Sequence, residues 1–430
     1  GSVRLSRAQT RWNAPRRNSG TSITCRCLMQ TAELFAACPV RSKAIENGTA
    51  WLRQHRIMVL SWADDLGLDR AVVSAAITED LKKDPASFDP SDLWPAREHR
   101  SGMAPRVGFI SVAYSRIGGT ETHHRTLLPR LRHVVDVAGF VASGFPGGDG
   151  TKLQVPYATG VAAAKQLAAH CDVLVVWGLS DLLSILPTDR PKVIAVHHAD
   201  SSSGWSNDLI LQQLDMIDEI VCVNETTATK LSATGKPTHY IPNAIDTRRI
   251  IPSGQQDALR SLHNISADQR IVLFGHRLSD EKRPELAVEI ARLLPAGWLM
   301  TIVGDGPLKH DVKRAAVDCD RVRLVSSSES LADWLAISDR FLSLSTFEGF
   351  GLSVAEALAA GVPVVSTATG IAPGLAKTLP TFASPAEWAE AIVNATVMVP
   401  PDVIMQQFDA DRMVSAWADI ITAASMVHGS

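Results

Sequence analysis

From residue 106 onward the chain alternates short, almost wholly apolar runs with amphipathic segments of helical length, and this rhythm limits its possible folds more than any other feature. The first runs lie at 107–112, 135–141, 173–177, 193–196 and 220–223. A strand with one wet face alternates polar and apolar residues; these do not, so both their faces are expected to be buried. With helices between them they predict a parallel, doubly wound sheet. The rhythm breaks at Pro242-Asn243-Ala244-Ile245-Asp246 and a polar stretch reaching about residue 269. It restarts at 271–274, 299–303, 322–325, 341–344 and 363–365. Two Rossmann-like halves in series imply a cleft between them, and ligands of such sheets sit at the carboxyl ends of the strands. A last helical stretch, about 402–426, is expected to cross back to the first half.

The first 100 residues follow a different pattern. Residues 1–24 are expected to be a disordered basic arm and 25–100 a helical segment, with helical periodicity over 28–82 and Gly67 as a stop between two helices. The Asp84-Pro85, Asp89-Pro90 and Trp94-Pro95 steps punctuate a linker, because the residue before proline is pushed out of the helical region. The division expected is therefore 1–24, 25–100, 101–246 on the acceptor side and 247–430 on the donor side.

Charge is as uneven as pattern. The net charge is −3, yet residues 1–57 carry ten Lys and Arg against the two acids Glu33 and Glu46. Such an arm can hold nucleic acid or an anionic surface by counterion release, and a solvated tail or an organelle transit peptide would look the same. Trp12, Trp51, Trp62 and Trp94 suit either a nucleic-acid face or a helical core. Cys25, Cys27 and Cys38 with His55 are a poor zinc set, because the C-x-C pair lacks a second close pair.

No run approaches the roughly 18 apolar residues of a membrane span, so no transmembrane segment is expected. Six cysteines in 430 residues do not form a secreted disulfide framework, and with no apolar signal core the expectation is a cytoplasmic protein.

Chemistry concentrates in Ser345-Thr346-Phe347-Glu348-Gly349-Phe350-Gly351-Leu352-Ser353-Val354-Ala355-Glu356, which reads as strand end, glycine-rich loop and helix start. The glycines permit close backbone approach, and the free N–H groups at the helix start can face a diphosphate. Glu348 on the loop and Glu356 in the helix can both face the cleft, where carboxylates bind vicinal hydroxyls. As an isolated pair they would be ordinary solvated acids. They gain weight from Gly275-His276-Arg277-Leu278-Ser279-Asp280-Glu281-Lys282, where a buried strand ends beside two cations that can neutralise a diphosphate leaving group.

These residues resemble the GT-B retaining glycosyltransferases of family 4. The E-x7-E pattern matches Glu348 and Glu356, and the "GR-L-x-x-EK" pattern matches Gly275 to Lys282 with His276 interposed. Gly304-Asp305-Gly306-Pro307, the 241–246 element and Gly118-Gly119-Thr120-Glu121 match three further motifs in the family's order. The resemblance covers about 105–426. It implies two Rossmann-like domains, here with an additional N-terminal helical segment, and a nucleotide-diphosphate sugar, UDP- or GDP-linked, as donor.

The resemblance also implies site roles. Arg277 and Lys282 would bind the diphosphate, with Gly119 beneath it from the first domain. Glu356 would bind the ribose and Glu348 the donor sugar. Backbone at Phe350, Gly351 and Leu352 would touch the donor, and backbone near Val325 the base. His197 matches the cleft histidine near the transferred sugar, and the adjacent His198 leaves that choice open. Ala244 stands where the family has glycine. The variable region 120–125, with His123 and His124, says little about the acceptor.

No Asp-x-Asp is found between strands where a divalent metal would bridge the diphosphate, so transfer is expected to need no metal and no cofactor; the resemblance implies retention of anomeric configuration. Three alternatives stay open: transfer to a modified base in nucleic acid held by the basic arm, a non-catalytic sugar-nucleotide-binding scaffold, and a sugar-nucleotide epimerase.

Overall fold

The computed structural model describes residues 105–114, 118–146, 149–178, 191–198, 210–325 and 330–426, all within the compact unit Phe88–Ser430. The readings of residues 1–104, including the basic arm, its nucleic-acid or anionic-surface partner and the cysteine set, lie outside the described residues.

In the first half β1 (Arg106–Tyr114), β2 (Asp136–Pro146), β3 (Tyr157–Thr159), β4 (Val173–Trp177), β5 (Lys192–His197), β6 (Glu219–Cys222) and β7 (Thr238–Tyr240) form one parallel sheet, ordered β3-β2-β1-β4-β5-β6-β7. Its described helices of the α type include α1 (Gly119–Leu131), α2 (Val161–Ala169) and α3 (Glu225–Leu231). As the unbroken apolar runs predict, both faces of the sheet are covered. Val107 and Phe109 of β1 join Val173, Val175 and Trp177 of β4 in one core. Their neighbours Ile110, Leu174 and Val176 point into the other.

The second half contains α4 (Gln256–Leu262), β8 (Arg270–Gly275), α5 (Pro284–Leu293), β9 (Trp298–Val303), α6 (Lys309–Ala315) and β10 (Val322–Val325). It continues with α7 (Leu331–Ala336), β11 (Arg340–Ser343), α8 (Leu352–Ala359), β12 (Val364–Thr367), β13 (Lys377–Leu379) and α9 (Pro385–Asn394). Its sheet is also parallel, ordered β10-β9-β8-β11-β12-β13. Ile271 and Leu273 face one core and Val272 and Phe274 the other. Helix starts follow local chemistry: Ser384 and Glu387 close a capping box on α9, and Pro284 takes the first position of α5.

After α9 the chain forms α10 (Pro401–Gln407), whose Ile404 joins the second half's core, and then α11 (Ala410–Met426), whose Met413, Trp417 and Ile421 join the first half's core. The expected return crossing is therefore present. Asp409 starts the last helix, its Oδ1 accepting the N–H groups of Asp411 and Arg412 at 2.9 and 3.0 Å. The outward crossing touches the return crossing directly, through a bond from Ile245 N–H to the Phe408 carbonyl at 3.0 Å. Among the described residues no helix is long and apolar enough to cross a membrane.

Candidate functional site

Strand order reverses between β1 and β4 in one sheet and between β8 and β11 in the other, and at such reversals the carboxyl ends leave a crevice. Loops from both reversals meet around a cavity of about 130 Å³. The first half contributes Gly119, Thr120 and His123 of α1, Trp177 at the end of β4, and His198 just after β5. Asn243 comes from the crossing segment, and the second half supplies residues 348–351 with Leu352. The halves approach closely here: a Cβ on Gly119 would stand 3.7 Å from Leu352 Cδ1.

Glu348 is fixed in that wall by two donors on one oxygen. Its Oε1 accepts from Lys282 Nζ at 2.6 Å and from Ser345 Oγ at 2.9 Å. The Ser345 carbonyl in turn accepts from Thr367 Oγ1 at 2.5 Å, tying the strand end to β12. Lys282 and Glu348 keep only 16% and 14% of their side chains exposed, so the pair is shielded from screening by solvent.

The glycine-rich loop turns into α8 at Gly351, whose φ of 91° is left-handed and which carries no side chain to cap the helix. The N–H groups at the start of α8 thus open beside the cavity, where partial positive charge gathers. Phe350 is buried and packs edge-on against Phe408, ring centres 5.1 Å apart. Glu356 lies in the second turn of α8, 1% exposed, and does not itself line the cavity. The two glutamates are therefore placed differently, one on the wall and one inside the helix behind it.

His276, interposed in the cation motif, has a structural task. It is buried, with Nδ1 3.1 Å from Ser353 Oγ and Nε2 3.3 Å from the Leu342 carbonyl. Burial lowers its pKa to about 3, with the Lys282 charge adding to this and the Leu342 carbonyl opposing it. The ring is neutral, and a carbonyl only accepts, so Nε2–H donates to Leu342 and Nδ1 accepts from Ser353. The imidazole thereby ties the first turn of α8 to β11. Nearby, Gly304 admits the 276 backbone: a Cβ there would meet the His276 carbonyl oxygen at 2.0 Å.

Three expected residues are placed more closely by the structure. The cavity histidine is His198; His197 is the last residue of β5 and fully buried, because successive residues of an extended chain point to opposite sides. Arg277 is exposed and does not line the cavity, whereas Lys282, five residues on, reaches Glu348. The interposed His276 is buried, whereas Arg277 is exposed. Val325 is a core residue, 6% exposed, at the carboxyl end of β10, which agrees with an expected contact through backbone and not through its side chain.

Residues the motifs did not mark also belong here. Trp177, His123 and Asn243 line the cavity, and Ser345 orients Glu348. A tryptophan ending a buried strand and an asparagine in the crossing element were visible signals. Burial lowers the pKa of His123 to about 3, with His198 adding to this and Asn243 offsetting part of it. His198 is also lowered by burial, against the pull of Glu121 and the Val196 backbone. Two Asp-x-Asp tripeptides do occur in the described chain. Asp318-Cys319-Asp320 precedes β10 at the end of the sheet away from the cavity, and Asp409-Ala410-Asp411 starts α11.

Residues 255–395 match the family Glycosyl transferases group 1. The chain is 32% identical over 181 residues to the lipopolysaccharide core biosynthesis mannosyltransferase LpsB of Rhizobium meliloti, covering 39% of this chain and 49% of that one. It is 28% identical over 211 residues to the N-acetyl-alpha-D-glucosaminyl L-malate synthase of Bacillus anthracis, covering 47% and 54%. The chain thus spans about half the length of these curated relatives. In fold it resembles Anabaena Alr3699/HepE, solved in complex with UDP-glucose, with a TM-score of 0.63 at 17% identity over 74% of this chain and 100% of that one.

Proposed function

Since residues 255–395 are a glycosyl transferases group 1 domain and the described chain has the GT-B fold of two Rossmann-like halves, we propose that the protein transfers a sugar from a nucleotide-diphosphate donor to a hydroxyl acceptor, with retention and without a divalent metal. The observation that carries this reading is the Lys282–Glu348 pair on the wall of a cavity built from both switch points. Glu348 binds a hydroxyl of the donor sugar through the oxygen not occupied by Lys282 and Ser345. Lys282 has three N–H donors, so it keeps Glu348 while donating to the diphosphate. Glu356 takes the ribose, and backbone near Val325 takes the base. The donor is a UDP- or GDP-sugar, and UDP-glucose bound by the Anabaena neighbour supports the first of these.

In the reaction the bond from the anomeric carbon to the phosphate oxygen breaks, its electron pair leaving with the diphosphate. The acceptor oxygen attacks the same face and its proton passes to the departing phosphate oxygen. Lys282, Arg277 and the N-terminal N–H groups of α8 meet the growing negative charge, replacing a metal in that role.

The test is donor turnover by the purified chain with UDP-, GDP-, ADP- and TDP-sugars in excess EDTA, after ranking the donors by thermal shift. Turnover is expected with one of them, with NMR showing the donor's anomeric configuration kept in the product. Equal turnover in the parent, Glu348→Ala and Lys282→Ala would remove the site assignment. An absolute need for Mg²⁺ or Mn²⁺ would remove the metal-free mechanism.

A further inference from the structure

The loop after β8 and the loop after β11 are fastened to each other along their length. Arg283 Nε donates to the Leu344 carbonyl at 2.6 Å, and Thr346 N–H donates to the Glu281 carbonyl at 2.8 Å. Lys282 reaches Glu348, and Ser353 Oγ meets His276 Nδ1 at 3.1 Å. Of these contacts, the one at His276 alone lies past Gly349 and Gly351, on the helix side of the glycine-rich loop. Backbone with two glycines, one of them at a φ of 91°, has little stiffness of its own. Where α8 begins relative to Lys282 therefore depends on what holds its first turn. Phe350 is tied away from Lys282, its carbonyl accepting from Ile371 N–H at 2.9 Å and its ring resting on Phe408. His276 supplies the tie toward β8, the strand that leads to Lys282.

The setting of the His276 ring asks for more than filling. The ring stands edge-on to Phe274 and Phe341, with centres 4.9 and 5.4 Å away, which fixes its orientation. A leucine would fill such an apolar space with no polar atom to satisfy, whereas a buried imidazole is costly unless both nitrogens are partnered. Both partners lie on elements that carry the site: Leu342 on β11, which leads into the Glu348 loop, and Ser353 on α8, which leads out of it. A neutral imidazole has one donor and one acceptor. The Leu342 carbonyl takes the donor, and the acceptor is left for the Ser353 hydroxyl.

We propose that His276 is a positioning residue for the donor diphosphate: through Ser353 it sets the first turn of α8 in register with Lys282, so that the two loops meet the diphosphate as one surface. This rests on the transferase reading above and adds a residue to its donor site. His276 does not itself line the cavity and acts only through Ser353 and the loop before it.

The test titrates the full chain calorimetrically with whichever of UDP, GDP, ADP and TDP gives the largest thermal shift, and with the matching nucleoside monophosphate. His276→Leu is expected to weaken the diphosphate about tenfold, the scale of one lost hydrogen bond, and the monophosphate by less than about threefold. A role confined to packing would lower the melting temperature and leave the ratio of the two affinities as in the parent. Ser353→Ala is expected to change that ratio in the same way and covers the case in which His276→Leu does not fold. His276→Gln keeps one acceptor and one donor, and its ratio is expected to stay within about threefold of the parent's. An unchanged ratio in folded His276→Leu or Ser353→Ala, or a ratio in His276→Gln as altered as in His276→Leu, overturns the proposal alone. A parent chain that binds none of the diphosphates overturns the transferase reading with it, and donor turnover by the parent tests that reading independently.

Discussion

Lys282 Nζ lies 2.6 Å from Glu348 Oε1, joining the loop after β8 to the loop after β11 across 66 residues of sequence. The contact sets a side chain expected to hold the diphosphate against one expected to hold the sugar, so both meet where the bond between them breaks. Lys282→Met keeps the apolar stem and removes the charge. It is expected to lower kcat/KM by about 10²-fold, the scale for losing one donor aimed at developing negative charge. Steady-state kinetics with the best donor checks this, and a fall of less than about threefold would detach Lys282 from the chemistry.

Ser345 Oγ donates to the same carboxylate oxygen and Ser345 does not itself line the cavity. Ser345→Ala removes one hydrogen bond to a charged group, worth about 1.5–3 kcal/mol. The expected result is a kcat/KM lower by about tenfold or more and a melting temperature lower by roughly a few degrees, the pair with Lys282 remaining. An unaltered kcat/KM would mean that Lys282 alone orients Glu348.

Most of the sheet architecture was legible in the chain, because a strand buried on both faces cannot hide its apolar run. The runs at 173–177 and 322–325 coincide with β4 and β10. β3, β7 and β13 were not legible. Each has three residues, sits at a sheet edge and carries polar side chains such as Thr159, His239 and Lys377, so nothing in the local pattern separates it from a loop. The site divides in the same way. Glu348, Gly119 and the 350–352 loop were marked by motif, whereas the choice between His197 and His198 depends on where β5 stops, a one-residue matter that pattern cannot fix. His276, which the motif does not contain, is buried beside an exposed Arg277, and burial of that kind is not marked by spacing.

Buried neutral histidines make acid a specific stress. His123 and His276 have folded pKa values of about 3 against an ordinary value of 6.5. Below 6.5 the unfolded chain binds protons that the folded chain excludes. Stability is therefore intact above pH 6.5 and falls as the pH drops toward 3, by up to about 1.4 kcal/mol per pH unit for each histidine. Urea unfolding at pH 7, 6 and 5 should show the decline, and His276→Gln should show a shallower one. A flat profile from pH 7 to 5 would contradict the neutral burial of both rings.

Trp417 of α11 is fully buried with its ring centre 5.5 Å from that of Trp177, which lines the cavity. Trp417→Ala is expected to cost about 3–5 kcal/mol, the range for deleting a buried aromatic side chain. Denaturant unfolding followed by circular dichroism measures it, and a loss below about 1 kcal/mol would mean that α11 packs only loosely on the first half.

The bond between Ile245 and Phe408 gives the molecule its mechanics. Peptide passes between the halves once outward and once back, and the two passages are pinned together at that point. A swing about that point keeps the bond, whereas sliding one half along the other breaks it. Phe350 presses on Phe408, so the loop that carries Glu348 rests against the pivot itself. Such a swing would move the far mouth of the cleft more than it moves Glu348, as the inner edge of a door barely moves when its handle does.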